Sequence, residues 1–103
     1  MLKKVTIKSV GIKETKTVDG VEVKYVYSKG KNEGKNFVRV SIQTEETGDL
    51  YYANNAFVDS KATKLKVGDV ELLDLVERVD GDNTWRDFNF PTKEQLADYA
   101  KSL

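Results

Sequence analysis

Asp59 to Phe90 reads DSKATKLKVGDVELLDLVERVDGDNTWRDFNF, and this stretch decides the fold. Asp59 or Ser60 can cap a short helix through about Leu65, and Gly68 suits its C-terminal side. Val70 to Val79 is an apolar strand whose phase slips, with Val70 and Leu72 on one side and Leu73, Leu75 and Val79 on the other. Asp80-Gly81-Asp82-Asn83 is a turn, and Thr84 to Phe90 is a closing strand with Arg86, Phe88 and Phe90 opposite Trp85, Asp87 and Asn89. A helix feeding two paired strands, the first of them bent, predicts a small closed β-barrel.

The segments before it supply the remaining strands. Val5 and Ile7, then Val10 and Ile12, alternate with one slip near Ser9-Val10, as in a corner strand that passes between sheets; Gly11 eases the bend. Asp19-Gly20 between two β-prone runs predicts a two-residue hairpin turn, with Val21, Val23, Tyr25 and Tyr27 on one face of the return run. Ser28 to Lys35 (SKGKNEGK) is a glycine-rich basic loop, either a solvated connection or a phosphate contact. Asn36 to Thr44 alternates cleanly: Val38, Val40 and Ile42 form a core side and Phe37, Arg39, Ser41 and Gln43 the other. An aromatic and an arginine two residues apart, about 7 Å along a strand, match the base spacing of an extended single strand; equally, Phe37 covers a barrel end and Arg39 is a solvated charge. After the acidic turn Glu45 to Asp49 comes the strand Leu50 to Phe57, in which adjacent Tyr51 and Tyr52 must face opposite ways, one into the core and one out.

Beyond Phe90, Pro91 ends the sheet region and Thr92-Lys93-Glu94-Gln95 forms a capping box. Leu96, Tyr99, Ala100 and Leu103 then fall on one helical face. That helix is expected to seal the barrel rather than join a partner.

Composition narrows the function classes. The 103 residues suit one domain, with 39% hydrophobic and 33% charged residues as in an ordinary globular chain. Cysteine and histidine are absent, which removes thiol nucleophiles, zinc-thiolate sites and the commonest general base. The carboxylates sit mostly in turns without a converging partner, so no enzyme and no cofactor is expected. The Asp80 turn resembles part of a calcium loop but lacks its alternating acidic run and terminal glutamate, so no metal is expected either. Neither a signal peptide nor a membrane-length apolar run is found, and a cytoplasmic location is expected. Net charge is zero, yet residues 1–44 hold ten Lys and Arg against four Asp and Glu, while residues 45–103 hold seven against thirteen. Either a basic face serves a polyanion or the halves interleave and the charges mix.

Strand, hairpin, two strands, short helix and two strands together resemble the OB-fold, and within it the single-stranded DNA-binding proteins of bacterial and phage type. The residues that carry the likeness are the bent strand Val5 to Ile12 with its hairpin, the strands Phe37 to Thr44 and Leu50 to Phe57, and Lys64 to Leu72, where a helix leads through Gly68-Asp69 into the fourth barrel strand. The resemblance covers roughly residues 3–90. It implies an all-β chain with minor α content: a five-stranded Greek-key barrel with an extra hairpin, a short helix between the third and fourth barrel strands, and a C-terminal helix over about 92–102. It also implies a sequence-tolerant single-stranded DNA-binding protein of replication or recombination, of phage or mobile-element scale, dimeric or higher. RNA is an equally acceptable strand for stacking. By the same resemblance Tyr51 is the stacking aromatic, with Phe57 a weaker one on the same strand, Phe37 and Arg39 beside it, and Tyr25 and Tyr27 on the return run. Trp85 is a platform or core, with Arg86 next to it, and Lys24, Lys29, Lys31 and Lys35 meet phosphates. The chain departs from the bacterial members by ending in a capped helix instead of a disordered acidic tail. The competing reading is a structural or protein-interaction domain working through a strand edge or the last helix.

Overall fold

Alternation in the longest strand sets the architecture, because β1 (Leu2–Lys13) is too long for one partner. In the computed structural model, which describes residues 1–103, Leu2 to Thr6 pair with β6 (Val70–Asp80), and from Ile7 onward the strand pairs with β4 (Phe37–Thr44). The register shifts between Ile7 and Ser9 at that handover, so the predicted slip is a β-bulge. The backbone groups freed there find partners: Thr6 donates its N–H to Glu46 Oε1 at 2.7 Å and its hydroxyl to Oε2 at 2.9 Å. Ile7 exchanges backbone bonds with Gly68 and Asp69.

Five strands close into a barrel in the order β1-β4-β5-β7-β6, where β5 is Leu50–Phe57 and β7 is Asn83–Asn89. All neighbours are antiparallel except β5 and β7, which meet in parallel through one pair, Tyr52 opposite Asp87. This is an OB-like Greek-key barrel, all-β with minor α content. The extra hairpin is a separate two-stranded sheet of β2 (Thr15–Val18) and β3 (Val21–Lys24). Asp19 and Gly20 both take positive φ, 50° and 79°, as a type I′ turn demands, and glycine adopts that conformation at no steric cost.

The core is one cluster: Val5 and Ile7 from β1, Val38, Val40 and Ile42 from β4, Tyr51 from β5, Leu73 from β6 and Phe88 from β7. Fully burying a side chain such as Phe88 or Leu73 contributes about 1.5–3 kcal/mol, so these inward positions dominate the stability. Between β5 and β6 the predicted helix is a single 3-10 turn, Lys61–Lys64, whose Ala62, with the following Leu65, completes the same cluster at the barrel end. Ser60 precedes it without a side-chain capping bond, so this turn is held by the burial of Ala62 and Leu65.

Three expectations are corrected. The slip predicted in β6 is absent: the strand runs without a register shift against both neighbours. Leu73 and Leu75 point inward, but Val79, in the same phase, is 68% exposed because the far part of the β6–β7 ribbon has run past the barrel. Second, the return run after the hairpin leaves β3 at Lys24, with Val21 and Val23 exposed while Tyr25 is buried, so the four residues do not share an environment. Third, the last helix, α1 (Lys93–Lys101), does not seal the barrel. Its capping box is formed, with Gln95 N–H donating to Thr92 Oγ1 and Thr92 N–H to Gln95 Oε1. None of its residues is buried, and Leu96 is 44% exposed. It is tethered through a polar contact instead, Gln95 Nε2 donating to Asp74 Oδ2 at 3.1 Å.

The projecting ribbons lengthen the molecule to 50 × 32 × 32 Å with a radius of gyration of 15.3 Å, against about 13 Å for a compact chain of this size. No helix is long and apolar enough to cross a membrane.

Candidate nucleic-acid interface

Side chains that alternate with the core positions build a continuous outer face across four strands. Its registers give three rows. Lys13 of β1 lies opposite Arg39 of β4, and Arg39 reaches Asn54 of β5. Gly11, Ser41, Tyr52 and Asp87 form the second row, from β1 through β4 and β5 to β7. Ser9, Gln43 and Leu50 form the third, which Trp85, two residues before Asp87, extends on β7. Two depressions lined by both Arg39 and Tyr52 hollow this face. One, of about 310 Å³, is lined by Gly11, Ile12, Lys13, Arg39, Val40, Ser41 and Tyr52. The other, of about 510 Å³, runs on past Arg39, Tyr52 and Asn54 to Trp85, Arg86, Asp87 and Asp49.

Two aromatic rings stand on the face without an aromatic neighbour: Tyr52, 39% exposed, and Trp85, 45% exposed. One strand spacing and two residues of rise put their Cα atoms roughly 8 Å apart. That exceeds the separation of stacked bases, so each ring would receive its own base.

Tyr51 is placed otherwise than the resemblance implied. It lies opposite Ile42, an inward residue of β4, is only 5% exposed, and belongs to the core cluster; its hydroxyl donates to Thr47 Oγ1 at 3.4 Å. No base can stack on it. The outward tyrosine is Tyr52, a choice the sequence left open because both neighbours are the same residue. The ladder settles it, since the inward phase of Val40 and Ile42 is copied onto the strand opposite.

Four further aromatics gather at the end of the face and engage one another. Tyr25 is buried and stacks on Phe37, with centroids 5.2 Å apart; Tyr27 lies 4.8 Å from Phe37 and 5.7 Å from Phe57. The Tyr27 hydroxyl donates to the Asn55 carbonyl at 2.8 Å. Phe37 and Phe57 are themselves cross-strand partners. This cluster is a small satellite core fastening residues 25–37 to the barrel, with Tyr27 and Phe37 half-buried and Phe57 exposed.

The cations divide in the same way. Arg86 is consumed by Glu77 at 3.1 Å and Asp49 at 3.6 Å, and Arg78 by Asp87 at 2.9 Å. Arg39 makes no ion pair; Asn54 Oδ1 accepts from its Nε at 3.1 Å and Nη2 at 3.0 Å. Its guanidinium is thereby held on the face with the other N–H groups free. Lys24, at the foot of the hairpin, and Lys29, Lys31 and Lys35, in the loop beyond Tyr27, are all exposed. None of them lines either depression.

Sequence reasoning passed over Gly11, Lys13 and Tyr52. Gly11 and Lys13 were visible as the outward phase of the first strand, but only the β1–β4 register shows that they stand beside Ser41 and Arg39.

Two carboxyl groups are held below their usual range. Hydrogen bonding from the Thr6 backbone does this for Glu46, and bonding from the Met1 amino group, then Gln95, does it for Asp74. Both sit away from the outer face and support the fold. No family model, curated protein or solved structure matches the chain.

Proposed function

We propose that this protein binds single-stranded DNA with little sequence preference, on the outer face of β1, β4, β5 and β7. The observation that carries the reading is the pair of unpartnered exposed rings, Tyr52 and Trp85, in adjacent rows of one hollowed face beside the unpaired cations Lys13 and Arg39. Every base offers a π-face, so rings that stack bases are sequence-tolerant, each contributing about 1–3 kcal/mol. Cations without carboxylate partners gain from counterion release when they meet phosphates. Such a domain would cover transient single strands during replication or recombination.

The test is a titration with oligo-dT at low salt, read through the fluorescence of Trp85, the only tryptophan. Quenching that weakens as salt rises supports the reading, and unchanged emission together with no binding rejects it. Competition by oligo-U decides between DNA and RNA, since a contact to the 2′-hydroxyl separates them. One observation favours a second reading, a protein-interaction domain: α1 leaves Leu96 and Ala100 exposed along one stripe, with Leu103 exposed just beyond its end. Under that reading oligonucleotides leave Trp85 unaffected.

A further inference from the structure

The two depressions on the outer face differ in charge. The larger one contains Arg86, but also Asp49 and Asp87. The smaller contains Lys13 and Arg39 and no carboxylate. Gly11, opposite Ser41, has no side chain, and Ser41 leans over it: a Cβ at that position would lie 2.8 Å from Ser41 Oγ. Around the gap stand the Ser41 hydroxyl, which donates to the Gly11 carbonyl oxygen at 3.5 Å, the Arg39 guanidinium fixed by Asn54, and Lys13 and Tyr52. Two cations and no competing acid, beside a hydroxyl that can exchange its long bond to Gly11 for one to a ligand, form a receptor for one singly charged phosphodiester.

We propose that the notch above Gly11 is a phosphate seat, so that a bound strand lies in one orientation across the barrel, its sugar-phosphate side toward β1 and its bases toward Tyr52 and Trp85. The proposal rests on the nucleic-acid reading of this face and adds to it which side of the strand faces which edge. It follows that Arg78 and Arg86, neutralised by their own carboxylates, contribute little to the salt dependence, whereas Lys13 and Arg39 contribute fully.

The experiment measures oligo-dT affinity across a salt series for the unaltered chain and for Gly11→Ala, Gly11→Val, Lys13→Gln, Arg39→Gln and Lys64→Gln. Gly11 has an ordinary strand backbone, and Ser41 Oγ can rotate away from an added methyl group, so the fold should persist; melting curves check this. Filling the notch is expected to weaken binding about tenfold or more for valine, and less for alanine, as a charge-assisted contact is lost. Lys13→Gln and Arg39→Gln should each flatten the slope of log K against log salt by about 0.7. Lys64→Gln, on the 3-10 turn and outside both depressions, should not. A folded Gly11→Val that binds like the unaltered chain overturns the seat, as do unchanged slopes in Lys13→Gln and Arg39→Gln. Failure of the unaltered chain to bind overturns the nucleic-acid reading itself, and the seat with it.

Discussion

The aromatics at the two ends of the outer face differ in what they touch. Tyr25, Tyr27, Phe37 and Phe57 pack ring against ring at 4.8–5.7 Å, while Tyr52 and Trp85 stand apart in the hollow. Both groups occupy outward positions of the same ladder or lie against it. The first group uses its rings on one another to hold a loop to the barrel, with Phe57 still 43% exposed, and the rings of the second have no aromatic partner. The arginines repeat the contrast, Arg86 being tied to two carboxylates and Arg39 only to an amide. Outward phase alone thus does not mark a candidate contact residue; the absence of a partner for the ring or the charge separates the two groups.

Several substitutions would break or sharpen that contrast. The largest expected effect is on ligand binding: Tyr52→Ala and Trp85→Ala should each lose about 1–3 kcal/mol of oligonucleotide affinity, with urea midpoints close to that of the unaltered chain. Next, Phe37→Ala should lower stability by about 2 kcal/mol, less than the ~3–5 of a fully buried ring, because Phe37 is half-buried. A large affinity loss in folded Phe37→Ala would erase the distinction between the two groups. Tyr51→Phe removes only the long hydroxyl contact to Thr47 and should shift stability by about 0.5 kcal/mol with affinity unchanged. The smallest effect is on acid sensitivity. Glu46 has a folded pKa below its ordinary 4.5, so its stabilising contribution is complete above that value and is lost as pH falls through the folded one. Glu46→Gln should therefore show a shallower loss of stability below about pH 4.5 in an acid unfolding series.

Much of the barrel was legible because local chemistry and global topology agree. Leu50–Phe57 is the strand as read, β4 begins one residue later than expected at Phe37, and Asp19-Gly20 and the Thr92 capping box sit where their chemistry places them. The failures lie where tertiary context overrides pattern. Tyr51 and Tyr52 are identical in composition and differ only in the partner across the ladder. Val79 has the right phase but lies on a ribbon that outruns the core. The stripe on α1 has helical spacing, yet its docking rests on Gln95 and Asp74, a contact between residues distant in sequence that no periodicity encodes. The candidate site was half legible: Arg39 and Trp85 could be read from alternation and residue type, while Gly11 and Lys13 needed the register.

The single parallel pair between β5 and β7 gives the face a mechanical character. Tyr52 rides on one side of that junction and Trp85 on the other, while the neighbouring β4–β5 and β6–β7 ladders are extensively bonded. A strand held by both rings would span the barrel's most sparsely hydrogen-bonded seam like a staple. Its arrival should then be felt as stiffening: slower amide exchange along β5 and β7 on ligand addition, with the β1–β6 ladder, which lies away from both rings and the notch, little changed.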